Sequence, residues 1–464
     1  MPNVNQFDPK SSDLTTFSSF VGDIFPFVPN KYYNNPTPVH VLNNLVFMVF
    51  GKGNNNSLVN DWLRGQNLQG FLGESMQGLE ANLGKVFDAI FNTDRAVYKT
   101  FKSPFPMSAS VVGKDPTDAG YAESLWESFG SEGRANVGLA LSQFYGSYYG
   151  NSSLAALLRK IETAPLSVPI TSQMTSGTTF GRSLSKIITK TLRKYSSSTV
   201  EVRIEVLRKL GIFLGGCIAL SNLQNACNSS VLLKDKNVEN INLSLVCYTG
   251  PIGSLKSEDQ KLSQLAVSSF SEVIDRCYFG IVKTAVKRIV DERAKKPNLD
   301  WESFVDQFAS VYCSGNDALA LNKYLKHYGE AGLNEFVQTI FPRKLLVNSV
   351  KSIGVKSGFI WPRRNSGQPR LILDTVFLTS LTEFIAEPDM DVASFVKKVF
   401  EELGLILGLS GIEMSKLTNL QHATKKQLNL TDALYDLERK LAERLVAAGL
   451  AREYSDGTTI LVGV

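Results

Sequence analysis

The helical spacing of apolar residues is the feature of this sequence that most restricts its fold. Apolar residues recur every three or four positions through three long segments, 201–223, 263–296 and 430–450. That spacing puts them on one face of an α-helix, and such a face must be buried against other elements. With 43% hydrophobic and 20% charged residues, the chain has enough apolar side chains to build that core. The sequence therefore predicts a mainly α-helical protein with a small β content.

Two segments rich in helix breakers divide the chain, whose 464 residues are too many for one compact core. Residues 163–181 contain two prolines, two glycines and many hydroxyl side chains, and residues 363–370 have the sequence RRNSGQPR. We therefore predict a multi-domain protein with an N-terminal helical domain at 1–163, a linker or exposed loop at 164–181, a central helical domain at 182–362 and a C-terminal domain at 363–464.

One segment of the central region departs from the helical pattern. In NINLSLVCYTG the apolar residues alternate with polar ones, at Ile241, Leu243, Leu245 and Cys247. Alternation with a period of two is typical of a strand. By contrast, residues 371–385 and 392–403 carry continuous apolar stripes and are predicted to be helices, the second capped by Asp391.

The five cysteines and three histidines are too scattered to predict a metal site. None of the cysteines belongs to a C-x-x-C pair, the spacing typical of zinc ligands. Isolated cysteines in apolar surroundings indicate buried free thiols in a reducing compartment. We expect no metal and no cofactor. We also expect a cytoplasmic protein without membrane contact, because no signal peptide is recognisable and the longest apolar run, 210–220, is too short to span a bilayer.

The end of the chain predicts a helix, a glycine stop and a hairpin. The last helix has Thr431 as its candidate cap and is followed by Gly449, at a position where left-handed glycines end helices. Asp456-Gly457 then predicts a tight turn between two short strands. This order over about 390–464 resembles a winged-helix domain, in which the helix before the wing usually enters the DNA major groove.

The winged-helix resemblance implies two alternative roles for this region. If the unit binds DNA, its basic side chains would neutralise backbone phosphates and would not read bases. The residues in this group are Lys425, Lys426, Arg439, Arg444 and Arg452. Many winged-helix units bind protein instead. The acidic residues on the last helix, Asp436, Glu438 and Glu443, favour that packing or docking role.

A second resemblance concerns the order of helices from PRLILDTVFLTSL to AREYSDG. It is similar to the ends of accessory proteins in bacterial anti-phage operons that accompany DNA-modification systems and their ATPases. The first 360 residues are not covered by it. The resemblance implies that this chain is a subunit of a larger complex that acts on DNA.

A basic stripe is predicted on the helix that follows the linker. Its cations recur at intervals of four residues and are Arg182, Lys186, Lys190 and Lys194, with Arg193 beside the last. Four-residue steps wind only slowly around a helix, so these side chains share one side. No acidic residue occurs from Thr163 to Val200. The stripe is either a solvated helix face or a phosphate-binding surface.

Arginines and aromatic residues also lie together at 356–370. Arg363 and Arg364 follow Phe359 and Trp361 closely. Aromatic rings among arginines can stack on bases while the arginines hold phosphates. The same residues could equally attach a linker to a domain, and the sequence leaves both alternatives open.

No catalytic motif is recognisable, and the segment SGTTFGRS lacks the spacing and the lysine of a phosphate-binding loop. We therefore predict a non-catalytic subunit, DNA-binding or adaptor, of a multi-protein bacterial complex, with nucleic acid (DNA) and protein subunits as partners. One alternative is a structural scaffold whose winged helix docks a partner protein. The other is an enzyme with a site assembled from distant carboxylates, such as a metal-dependent nuclease.

Overall fold

The computed structural model describes ten parts of the chain, and the account below concerns these alone. They are residues 38–50, 121–146, 177–228, 245–250, 257–312, 323, 331–340, 342–362, 368–412 and 430–462.

Twelve α-helices and six short strands lie in these ranges. The helices are α1 (Pro38–Phe50), α2 (Tyr121–Ser128), α3 (Gly130–Gly146), α4 (Thr179–Lys194), α5 (Val200–Asn228), α6 (Ser257–Ala294), α7 (Trp301–Tyr312), α8 (Gly332–Ile340), α9 (Arg343–Lys356), α10 (Thr375–Ile385), α11 (Val392–Leu403) and α12 (Leu430–Ala447). The strands are β1 (Leu245–Tyr248), β2 (Ile360–Trp361), β3 (Arg370–Ile372), β4 (Leu405–Ile406), β5 (Ala451–Glu453) and β6 (Thr459–Leu461). The predicted mainly α fold is confirmed.

Helix ends follow local signals in the sequence. The Asp391 carboxylate accepts a hydrogen bond from the backbone N–H of Ser394 (2.8 Å), so it caps α11 as predicted. Gly404 and Gly449 adopt the left-handed conformation after α11 and α12, with φ of 70° and 71°. Thr431 does not cap α12, because that helix already begins at Leu430 and places Thr431 in its first turn.

The predicted hairpin at the end of the chain is confirmed. Strands β5 and β6 pair antiparallel, with Arg452 opposite Ile460. Gly457 has a φ of 82° in the turn between them, a conformation that glycine adopts without strain. The N–H of Leu461 donates to the carbonyl of Met390 (2.9 Å), which attaches the hairpin to the start of α11. The winged-helix assignment itself stays a prediction.

A four-stranded sheet with the order β2-β3-β1-β4 lies among the helices. Strand β1 is central and runs parallel to both β3 and β4, whereas β2 and β3 are antiparallel. The register pairs Tyr248 with Ile372 and Val246 with Ile406. Because β1 pairs with both β3 and β4, it joins the predicted central region to the C-terminal region.

Both faces of this sheet are buried. Leu245 and Cys247 of β1 enter the larger hydrophobic cluster, which extends from Val41 to Leu461. Val246 and Tyr248 enter a smaller cluster on the opposite face, formed with the start of α6 and the start of α12. The strand predicted for this segment is confirmed over Leu245–Tyr248, and all four of its residues are buried.

The apolar run at 371–373 was predicted as part of one helix through Ile385, and that prediction is also wrong. Leu371 and Ile372 belong to β3, and the helix begins only after Asp374, whose carboxylate accepts from the N–H of Phe377 (2.9 Å). A short apolar run fits a helix or a strand equally well, and the pairing with β1, distant in sequence, decides between them.

The predicted domain boundary at 362/363 falls between β2 and β3, which are neighbours in the same sheet. The larger cluster likewise contains residues from all three predicted domains. The division into domains stays a prediction.

Glycines let several helices approach one another closely. A β-carbon on Gly181 of α4 would lie 2.1 Å from the carbonyl oxygen of Ser128, at the end of α2. On α5, a β-carbon on Gly216 would lie 2.2 Å from the ring of Phe377 in α10. Both distances are far below van der Waals contact, so these helices can pack as they do only with glycine at these positions.

Among the helices described, none is both long enough and apolar enough to cross a membrane.

Candidate nucleic-acid interface

One side of helix α4 is buried against neighbouring elements, and the other side is exposed to solvent. Its first turn is capped by Thr178, whose hydroxyl accepts from the N–H of Gly181 (2.9 Å), and its apolar side packs against α3. Leu184, Ile188 and Leu192 are fully buried. The five predicted cations lie on the opposite, exposed side and are Arg182, Lys186, Lys190, Arg193 and Lys194. The structure therefore brings the predicted stripe together on one surface.

One member of the stripe is neutralised by a carboxylate. Lys190 Nζ lies 2.7 Å from Glu387 Oε1, and Lys398 Nζ of α11 lies at the same distance from that oxygen. Hydrogen bonds from Lys190 and Lys398 lower the pKa of Glu387 to about 2. Glu387 therefore stays ionised at neutral pH and ties α4 to α11.

A second carboxylate holds the end of α4. Glu383 of α10 accepts hydrogen bonds from the Tyr195 hydroxyl and from Lys209 Nζ, the latter at 2.8 Å. Burial alone would raise the pKa of Glu383, but the hydrogen bonds from Lys209 and Tyr195 lower it below its usual value. Burial and this hydrogen bond to Glu383 raise the pKa of Tyr195. The ammonium of Lys194 lies over the Tyr195 ring, 4.7 Å from its centroid.

Lys186 and Arg193 are two exposed cations of the stripe that are not paired with a carboxylate of the described residues. Within the described parts of the chain, no carboxylate forms an ion pair with either side chain. They are seven positions apart, almost two full turns, so they project from the same side at a spacing of about 10 Å along the helix. Two exposed cations with this arrangement can contact phosphates of one backbone.

The predicted cations of α12 have a different environment. Arg439 pairs with Glu443 (2.6 Å) and Asp436 (3.5 Å) on its own helix. Arg444 turns inward, and its Nη1 donates to the carbonyl of Thr249 (2.9 Å) at the end of β1. Burial lowers the pKa of the Arg444 guanidinium. The exposed face of α12 therefore has little uncompensated positive charge.

Of the remaining predicted residues, one lies on the hairpin and four lie outside the described residues. Arg452 is exposed on β5 of the hairpin. Arg363, Arg364, Lys425 and Lys426 lie outside the described residues.

Two cations of this surface were not predicted, Lys209 of α5 and Lys398 of α11. Lys398 shares Glu387 with Lys190 of the stripe, and Lys209 shares Glu383 with Tyr195 at the end of α4. Both glutamates lie nearly two hundred residues from α4 in the sequence. No local pattern indicates such pairs, because only tertiary packing brings the four helices α4, α5, α10 and α11 together.

Metal-binding side chains are not clustered in the described ranges. No group of three or more histidine, cysteine, aspartate or glutamate residues is placed there to hold an ion. Cys217, Cys247 and Cys277 are buried free thiols, and burial raises the pKa of Cys217 and Cys247.

No family model, no curated protein and no solved structure matches this chain.

Replacing Arg444 with methionine is expected to lower the free energy of unfolding by about 1–3 kcal/mol, because the carbonyl of Thr249 loses its charged donor in a half-buried setting. Arg439→Met, on the exposed face of the same helix, should change stability little. Urea denaturation of both variants measures the difference. Equal effects of the two substitutions would show that Arg444 does not join α12 to β1.

Proposed function

We propose that this protein binds nucleic acid through the backbone phosphates, using the exposed side of α4, as a non-catalytic subunit of a larger bacterial complex. The observation that carries the proposal is the pair of exposed cations Lys186 and Arg193, which no described carboxylate neutralises. Double-stranded DNA is the ligand we favour. Membership of an anti-phage complex rests on the sequence resemblance alone.

The chemistry of this surface supports phosphate contact and not base reading. Lysine and arginine neutralise phosphates and release condensed counterions, which contributes affinity without regard to sequence. The stripe contains no asparagine or glutamine that could pair with an adenine edge. The Glu387 and Glu383 networks fix α4 against α10 and α11, so its cations are held on an ordered helix.

The experiment is a salt series with the full chain and a labelled DNA duplex, followed by filter binding. We expect the logarithm of the association constant to fall linearly with the logarithm of salt concentration. Three α4 cations in contact with phosphates, Lys186, Arg193 and Lys194, correspond to a slope of about −3. An affinity that is independent of salt would contradict the proposal.

Docking of a partner protein is the second candidate function, and one observation favours it. Tyr435 and Val446 are exposed on α12, eleven residues apart and so on one side of the helix, and Tyr454 is exposed on the hairpin. Exposed aromatic residues beside internally paired charges are typical of protein-binding surfaces.

Substituting Tyr435 and Tyr454 with serine tests this second candidate. We expect the double variant to lose co-purification with the products of neighbouring genes, because it removes the two large exposed rings. Its DNA affinity should stay unchanged, since α4 is untouched. Retained co-purification would contradict the docking role.

A further inference from the structure

Lys190 lies between Lys186 and Arg193 on the exposed side of α4. Along the helix axis it is about 6 Å beyond Lys186 and about 5 Å before Arg193. One strand of DNA carries about one phosphate for every 3.4 Å of its axis. A backbone that contacts both Lys186 and Arg193 therefore passes Lys190. At that point it meets the carboxylate of Glu387, which lies 2.7 Å from Lys190 Nζ.

Two ammonium groups from different helices share this carboxylate. Lys398 Nζ of α11 also lies 2.7 Å from Glu387, and from the same oxygen, Oε1. Two lysines and one glutamate together carry a net positive charge. An oxygen that accepts from two ammonium groups has the surroundings that a phosphate oxygen takes when two lysines bind it.

Solvent reaches this group of three side chains. The side chains of Lys190 and Glu387 are 64% and 47% exposed. Exposed ion pairs contribute little to stability, because water and salt screen them. When the Glu387 carboxylate is removed, α4 keeps the packing of its buried side and the network around Glu383. The carboxylate can therefore be replaced without loss of the fold.

We infer that Lys190 and Lys398 form a further phosphate-binding position, which extends the basic surface from α4 to α11, and that Glu387 occupies it in place of a phosphate. The inference rests on the proposed binding of nucleic acid by α4. A phosphate of the backbone accepts hydrogen bonds from both ammonium groups once the carboxylate is gone. While Glu387 is present, its negative charge also repels the backbone next to Lys186 and Arg193. Glu387 thus limits the affinity of the protein for nucleic acid.

The test adds Glu387→Gln to the salt series with the full chain and the labelled duplex. This substitution removes the negative charge and keeps nearly the same shape. We expect the association constant at low salt to rise about tenfold, because one more phosphate gains charged donors. The slope of log K against log salt should become steeper by about 1. Glu387→Ala, which also removes the hydrogen-bond acceptor, should show the same gain.

Two controls distinguish a phosphate-binding position from a general effect of charge. Glu401→Gln removes a carboxylate from the exposed side of α11, where its described ion pair is with Lys397 of the same helix (4.0 Å), and it should leave the slope at the wild-type value. The double variant Glu387→Gln/Lys398→Ala should lose the gain, because only one of the two ammonium groups remains. Thermal unfolding shows that each variant is folded.

Three results would overturn the inference and leave the proposed function intact. They are wild-type affinity and slope in the Glu387 variants, an equal gain in Glu401→Gln, and a gain that persists without Lys398. A wild-type protein without salt-dependent DNA binding would overturn both the proposed function and this inference.

Discussion

Substitution of Phe377 by alanine is expected to lower the free energy of unfolding by about 3–5 kcal/mol. The ring is fully buried and lies 4.7 Å, centroid to centroid, from the ring of Phe359. It also fills the space beside Gly216 of α5, where a β-carbon would lie 2.2 Å away. Alanine would leave a cavity between α5, α10 and the Phe359 ring, and elements packed so closely cannot fill it. Chemical denaturation measures the loss.

Val376→Ala is the control for this prediction. Val376 is the preceding residue of the same helix, and its side chain is 52% exposed, so truncation creates no cavity. A Phe377→Ala variant as stable as Val376→Ala would show that α10 does not pack against α5 as described.

The Leu437→Ala variant is expected to lose about 2–5 kcal/mol. Leu437 is fully buried in the smaller hydrophobic cluster, where α12 meets the sheet. Its carbonyl also accepts a hydrogen bond from the Thr249 hydroxyl (2.6 Å) at the end of β1. Alanine keeps this backbone hydrogen bond but loses the packing of the Leu437 side chain in the cluster that also contains Val246 and Tyr248 of β1.

The Leu437→Ala variant also tests whether the C-terminal region unfolds together with the rest of the protein. Because β1 pairs with both β3 and β4, we expect the transition that Leu437→Ala shifts to be the same one that Phe377→Ala shifts. Tyr435→Ala, at an exposed position of α12, should shift neither midpoint nor cooperativity. A separate early transition in Leu437→Ala alone would show that the C-terminal region folds as its own domain.

The sequence predicted those parts of the fold that depend on local chemistry. Apolar periodicity located α4, α5, α6 and α12, and the Asp391 cap and the glycine at 449 mark helix ends that the structure confirms. The Asp456-Gly457 turn was recognisable because few residues besides glycine tolerate its backbone conformation. Each of these signals extends over only a few neighbouring residues.

Features that depend on distant parts of the chain could not be predicted. Leu371 and Ile372 become a strand only because β1 lies beside them, and no local pattern distinguishes them from a helix. Similarly, Arg444 was expected to face solvent, but the structure turns it toward the carbonyl of Thr249.

The most direct test of phosphate binding by α4 compares the salt dependence of DNA binding in two double variants. Lys186→Ala/Arg193→Ala removes the two open cations of α4, and Lys283→Ala/Lys287→Ala removes two exposed lysines, four residues apart, from α6. We expect the slope of log K against log salt to fall in magnitude by about 2 in the first variant and to stay at the wild-type value in the second. Equal slopes for the wild type and both variants would contradict the proposal that α4 contacts the nucleic-acid backbone.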